Sequence, residues 1–171
     1  WRATQEGLDA VIVNPGVILG AGSWHTGSGA IFKLASKGIS YFTSGSIAVV
    51  DVRDVVLAMQ GLMNSDLKNE RYILVGATLS YKEFTKELAL AFDKNPPKKE
   101  IAEWKLLLIS SIDGLVSSLF GTKRKLQKAN VKSLYTRSNY NAHKIEKALS
   151  FSFTPVSQTI KRVASDYKSE H

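Results

Sequence analysis

The stretch GLDAVIVNPGVILGAGSWHTGSG, residues 7–29, constrains the fold more than any other part of the chain. Leu8 to Val13 form a near-continuous apolar run ended by Asn14 and Pro15, the pattern of a short strand covered on both faces, as parallel strands usually are. Pro15 is expected to close that strand, because it has no backbone N–H to give to a ladder. A glycine-rich loop, Gly20 to Gly29, follows. TGSGAIFKLASKG then sets Ile31, Leu34 and Ala35 at helical spacing and stops at Gly38, a residue that readily takes the left-handed C-cap conformation.

The alternation continues along the chain. ISYFTSGSIAVVDV predicts two short strands around Thr43 to Ser46, with Asp51 as the N-cap of the next helix. Val52, Val55, Val56, Met59 and Met63 mark one face of that helix. ERYILVG predicts another strand. In LSYKEFTKELALAF, Ser80 and Glu83 make a capping box ahead of a buried stripe of Phe84, Leu88, Ala91 and Phe92. NPPKKE is a break. After it, Ile101, Trp104, Leu108, Ile112, Leu115 and Leu119 share the stripe of an unusually apolar helix over 101–120, widened by Leu106, Leu107 and Ile109. Such a helix is more often buried core or an intersubunit face than a ligand box. NYNAHKIEKALSFSFTPVSQTIKRVASDY predicts two short helices joined at Thr154 and Pro155, the second turning Val156, Ile160, Val163 and Tyr167 inward. Alternating strands and helices at this spacing indicate α/β architecture with a helix-rich C-terminal part.

A chain of 171 residues suits one domain. The absence of cysteine excludes disulfides and thiolate chemistry and fits a reducing compartment, so a cytoplasmic protein is expected. Glu103, Lys105 and Asp113 interrupt the apolar run 101–120 and are costly at a bilayer centre, so no membrane span is predicted. The net charge of +8 raises nucleic acid or an anionic surface as partners. Much of that excess lies between Lys94 and Lys144, but no aromatic side chain interleaves GTKRKLQKANVK to stack bases. A solvated basic face is therefore expected, and nucleic acid is not.

GAGSWHTGSG carries glycines but follows a Pro-Gly break, without the spacing of a dinucleotide or P-loop fingerprint. His25, His143 and His171 stand apart from each other and from acidic clusters, so no metal site is predicted. GSWHTGS lacks a nucleophile-elbow pattern.

Four blocks, GLDAVIVNPGVILGAG, VVDVRDVVLAM, RYILVGATLSYKEF and NAHKIEKALSFSFTPVSQTI, resemble in order the second half of the extended short-chain dehydrogenase/reductases, the NAD-dependent epimerase/dehydratase family. The resemblance implies the last strands of a Rossmann-type parallel sheet plus a small helix-rich substrate-binding lobe. Residues 1–171 would be the C-terminal portion of one such chain, a fragment lacking the dinucleotide-binding half. WRATQEG resembles the end of the helix that bears the family's Tyr-x-x-x-Lys pair, which places that pair before Trp1. The chemistry implied is hydride transfer to or from nicotinamide, with the Tyr as acid/base and the Lys lowering its pKa. NAD or NADP would be the cofactor of the full-length enzyme, and this portion alone would bind none and be inactive.

Carried over by residue, Pro15, Gly16, Val17 and Ile18 match the family's loop past the nicotinamide ring. The Asn14 amide would reach substrate, with Trp24 and His25 at the tip of the substrate loop, while Trp24 reads equally as a packing aromatic. Asp51 and Asp54 fall at the family's helix start, where capping and the helix dipole account for them. Arg53 is placed to reach an anionic ligand or to pair with a nearby acid. Nucleotide-sugar epimerases of the family often carry an Arg about where this chain has Ile47, and a diphosphate without a bidentate Arg loses its natural partner. That favours the dihydroflavonol 4-reductase-like branch and an aldehyde or ketone as the small-molecule substrate. Two alternatives stand beside it. One is a nucleotide-sugar epimerase or dehydratase holding its diphosphate through Lys123, Arg124 or Lys125; the other is a non-enzymatic module docking through helix 101–120. A bared LDAVIVNP strand is also expected to drive self-association into a homo-oligomer.

Overall fold

The computed structural model describes the backbone of residues 5–120 and 128–171 and the side chains of 5–111 and 130–171. The chain divides into two compact units. The first comprises Trp1–Lys33, Ala48–Thr78 and Asn139–His171; the second comprises Leu34–Ile47 and Leu79–Ser138.

In the first unit β1 (Val11–Pro15) pairs in parallel with β5 (Glu70–Leu74), from Val11 opposite Glu70 to Pro15 opposite Leu74. The expectation that β1 is covered on both faces does not hold. Val11, Ile12 and Val13 are half-buried and Asn14 and Pro15 exposed, because β5 is its only strand partner among the described residues. β1 does close at Pro15, as expected, although the chain stays extended and a second strand starts two residues on. The Gly16 N–H donates to the Leu74 carbonyl at 3.0 Å. Backbone N–H groups alternate sides along a strand, so the missing N–H of Pro15 falls on the edge away from β5 and costs no ladder bond.

The chain runs on into β2 (Val17–Leu19), which pairs in parallel with β4 (Ser46–Asp51), Val17 opposite Val49 and Leu19 opposite Asp51. β6 (Ala77–Ser80), absent from the sequence expectation, flanks β4 on its other side. Asp51 caps α2 (Val52–Met63) by accepting from the Arg53 N–H at 2.8 Å, as predicted. The buried face of α2 differs from the predicted one: it is Asp54, Val55, Ala58 and Leu62, while Val56, Met59 and Met63 are exposed. The helix is rotated by about one residue because Asp54 finds partners inside, described below. Val50, Val55, Ala58, Leu62, Tyr72, Leu74 and Ile145 form the core of this unit. Ile145 comes from α6 (His143–Leu149). α7 (Val156–Glu170) buries Thr159, Ile160, Val163, Ala164 and Tyr167; the predicted Val156 is half-buried.

α1 (Gly27–Lys37) ends at Gly38, whose φ of +96° is the left-handed cap predicted. Phe32 and Ala35 are fully buried, but Leu34, expected on the same stripe, is 57% exposed. In the second unit β3 (Tyr41–Phe42) pairs in parallel with β7 (Lys99–Glu100), so the predicted break at NPPKKE contains a short strand. α3 (Tyr81–Ala91) opens with the predicted capping box: the Ser80 hydroxyl accepts from the Glu83 N–H, and Glu83 accepts from Ser80 in return. Hydrogen bonds from the Ser80 hydroxyl and N–H hold the Glu83 carboxyl below its ordinary pKa. Phe84, Leu88 and Phe92 are buried as predicted, but Ala89 takes the place expected of Ala91, which is half-buried.

The apolar run forms α4 (Glu103–Phe120), followed by α5 (Lys128–Ser133). Its predicted stripe is not a buried one over the described side chains. Trp104, Leu108 and Ile109 are exposed while Ser110 is fully buried; Ile112, Leu115 and Leu119 lie outside the described side chains. The Tyr135 hydroxyl donates to the Ile101 carbonyl at 2.7 Å, and burial together with the nearby Glu103 and Glu100 carboxylates raises its pKa. Among the described residues no helix is long and apolar enough to cross a membrane.

Candidate functional site

The carboxyl ends of β1 and β5 make a fork. β1 and β5 are neighbours, but their continuations β2 and β6 are separated by β4. The divergence occurs at Gly16 and Gly76. Gly16 still bonds Leu74, while the next residue, Val17, already pairs with Val49; Gly76 donates its N–H to the Val49 carbonyl at 2.9 Å. Gly16 is required there, since a Cβ on it would sit 2.6 Å from the Ala48 carbonyl oxygen and 3.2 Å from Val75 Cγ2. A place where neighbouring strands part at their carboxyl ends is where open α/β sheets leave a ligand crevice. Five of the residues predicted to line a cofactor or substrate site stand on this fork. Asn14, Pro15 and Val17 are exposed there, and Gly16 and Ile18 half-buried.

In the loop Gly20–Gly29 the structure takes the packing alternative for Trp24. Trp24 is not a solvent-facing tip residue: it is 5% exposed, its ring edge-on to Tyr167 at 5.0 Å and its Nε1–H donating to Glu170 Oε2 at 2.5 Å. A large apolar ring with one polar edge is satisfied this way when buried, so Trp24 anchors the loop to α7 and leaves the ligand side to others. The loop is also closed on itself, with a Cβ on Gly29 falling 2.1 Å from the Ser23 carbonyl oxygen. His25, the next residue, is exposed, and its Nδ1 accepts from Lys33 Nζ at 3.0 Å. Arg53 is exposed on the first turn of α2.

The capping carboxylates of α2 also belong to a largely buried polar network. Arg162 Nη2 donates to both oxygens of Asp51 at 2.9 and 2.7 Å, and the Thr159 hydroxyl donates to Asp51 Oδ2 at 2.8 Å. Burial pushes the Asp51 pKa up. The hydrogen bonds from Arg162, the Arg53 N–H and Thr159, with the attraction of the Arg162 charge, outweigh it and hold the carboxyl below its ordinary value. Asp54 accepts from the Thr154 N–H at 2.7 Å and from its hydroxyl at 2.8 Å. These bonds tie the start of α2 to α7 and the segment before it. Since α7 also holds Trp24, one helix positions both the end of β4 and the loop after β2. The two carboxylates are structural groups here, committed to fixed donors, and neither is a free base. Among the described residues no group of acidic and histidine side chains makes a metal cluster.

One Tyr-x-x-x-Lys spacing does occur in the chain, Tyr140 and Lys144. Its geometry is wrong for a working pair. Tyr140 precedes α6, so the two side chains do not share a helix face, and Lys144 is engaged by Glu70 and stands 4.9 Å from the centre of the Tyr72 ring.

No family model matches the sequence, and no curated protein matches it. Solved structures do match the fold. A nucleoside-diphosphate-sugar epimerase from Pseudomonas aeruginosa superposes with a TM-score of 0.76 at 18% identity, over 99% of this chain and 51% of that one. The chain has the fold of the C-terminal half of Rossmann-type epimerases and dehydratases. UDP-glucose 4-epimerase from Thermotoga maritima, solved with UDP-glucose, matches with a TM-score of 0.66 at 16% identity over 98% of this chain and 48% of its own. The Thermus thermophilus UDP-glucose 4-epimerase, solved with NAD, gives 0.66 at 15% identity over 99% and 50%. The chain thus spans about half the length of the structures it resembles.

Proposed function

We propose that this chain is the substrate-binding part of a cytoplasmic NAD(P)-dependent oxidoreductase of the dihydroflavonol 4-reductase-like branch, acting on an aldehyde or ketone and inactive by itself. The fork at Gly16 carries this reading, because it sets exposed backbone and one exposed amide at the carboxyl ends of two parallel strands. Pro15, Gly16, Val17 and Ile18 would pass along the nicotinamide, with Asn14, His25 and Arg53 facing substrate and Trp24 holding the substrate loop in place. Nothing in this set abstracts a proton; the acid/base pair would come from residues outside it. Ile47 supports a weakly charged substrate, since it is buried and an Arg in its place would have to bring its charge inside.

A second reading, a nucleotide-sugar epimerase or dehydratase, is supported by what the neighbouring structures are named as. Its proposed diphosphate contacts, Lys123, Arg124 and Lys125, lie outside the described residues. The product of the native gene is expected to oxidise NADPH or NADH with a panel of aldehydes and ketones and to leave UDP-sugars unchanged. Turnover of a UDP-sugar in place of carbonyl reduction assigns the second reading. Micromolar NADP binding by the 171-residue chain alone would overturn the inactive-portion reading.

Among the described residues one edge of β1 has no strand partner, which supports the expected self-association. On size-exclusion chromatography the 171-residue chain should run larger than its 18.8 kDa mass, and a Val13→Lys variant should shift it toward monomer. A strictly monomeric parent at high concentration would end the idea.

A further inference from the structure

The charge of this protein is segregated between its two units. The second unit holds 13 Lys and Arg against 6 Asp and Glu, a net +7, whereas the first holds 10 against 9. The same second unit turns large apolar side chains to solvent along the first turns of α4. Trp104 is 64% exposed, Leu108 55% and Ile109 49%, while Ser110 on the opposite side is fully buried. This inverts the ordinary helix, which buries its leucines and shows its serines. Trp104 and Leu108 are one turn apart and so share a face, and Lys105 lies one turn before Ile109 on the adjoining strip. Trp104, Leu107, Leu108 and Ser111 line an open hollow rimmed by Lys132 of α5. Lys98 and Lys99, immediately before the helix, are also exposed, as are Glu100 and Glu103.

We propose that α4 docks the second unit on an anionic phospholipid surface, with Trp104, Leu108 and Ile109 entering the headgroup boundary and Lys98, Lys99, Lys105 and Lys132 meeting lipid phosphates. Three observations select this partner. Tryptophan and aliphatic side chains beside lysines are what an interfacial helix presents, the ring settling at the headgroup level and the lysine stems reaching past the apolar residues to the charged layer. A net charge of +7 favours a surface of opposite sign and opposes the packing of a second copy of the same face against it. Leu108 and Ile109 have no π face, so the patch is poorly suited to stacking the bases of a nucleic acid. The inference is independent of the proposed enzymatic role.

Co-sedimentation with vesicles tests it on the full 171-residue chain. Binding is expected to phosphatidylcholine vesicles containing phosphatidylserine, with partition about tenfold lower for phosphatidylcholine alone and a further fall as salt rises. A Trp104→Ala, Leu108→Ala double variant should lose about tenfold in partition, and Lys105→Gln with Lys132→Gln a similar amount at low salt. All four side chains are exposed, so the circular dichroism and thermal midpoint of both variants should match the parent, and Lys98→Gln with Lys99→Gln offers a third variant off the helix. Equal sedimentation of the parent and the Trp104, Leu108 variant would overturn the proposal, as would no binding to phosphatidylserine vesicles at low salt. Dimerisation abolished by that variant, or binding to a DNA duplex, each without vesicle binding, would also overturn it.

Discussion

Replacing Arg162 by alanine is expected to lower the free energy of unfolding by about 2–4 kcal/mol, because it leaves the Asp51 carboxylate buried without its counter-charge. The figure sits below the range for a wholly buried pair for two reasons. The Arg162 side chain is 22% exposed, and Asp51 keeps its bonds from Thr159 and the Arg53 N–H. Asp51→Asn should cost less, about 1–2 kcal/mol, since an amide oxygen can still cap α2 and the freed guanidinium has Asp166 at 3.6 Å. Urea unfolding monitored by circular dichroism measures both. An Arg162→Ala penalty no larger than that of Asp51→Asn would mean that the pair is not buried as described.

The same network sets the direction of a pH effect. The folded Asp51 pKa lies below its ordinary value of about 3.9. Its stabilisation is therefore fully present above about pH 5 and is lost as pH falls through the ordinary value toward the lower folded one. Glu70 and Glu83 shift the same way, the first through Lys144 and the second through Ser80, so the parent should lose stability steadily in acid. The Asp51→Asn variant should show a shallower decline than the parent between about pH 5 and pH 2. Parallel curves would show that Asp51 titrates normally.

Gly16→Ala is the second large effect, expected at about 2–3 kcal/mol. Its added methyl would meet a backbone carbonyl, that of Ala48 at 2.6 Å, and a backbone carbonyl cannot rotate out of the way as a side chain can. Val17→Ala, one residue on and 37% exposed, should cost under about 1 kcal/mol. The contrast separates the tight fork from general sensitivity of the strand. A Gly16→Ala variant as stable as the Val17→Ala one would require the fork to be wider than it stands. On the proposed function, Gly16→Ala is also expected to weaken NAD(P) binding by the enzyme, because a β1 end pushed off Ala48 moves Pro15 and Val17 with it.

The candidate site was legible in part. The family resemblance marks Asn14, Pro15 and Gly16, and the structure sets them on one fork. Trp24 and Arg162 illustrate what was not legible. Trp24 reads equally as a loop-tip contact and as a packing aromatic, and the partners that decide it, Tyr167 and Glu170, come from the far end of the chain. Arg162 lies 111 residues from Asp51 and has no local feature to distinguish it from its neighbour Lys161.

The sequence by itself determined the alternation of strands and helices, the capping of α2 by Asp51 and of α3 by Ser80 and Glu83, and the stop of α1 at Gly38. Each of these depends on groups within a few residues of one another, so the local chain holds all the information needed. Only the tertiary structure decided which face of each helix turned inward. On α2 the apolar Met63 went out and the charged Asp54 went in, because Thr154, 100 residues away, supplied two hydrogen bonds that no neighbouring residue could. Burial follows the partners a side chain meets, and those partners are brought together by the fold.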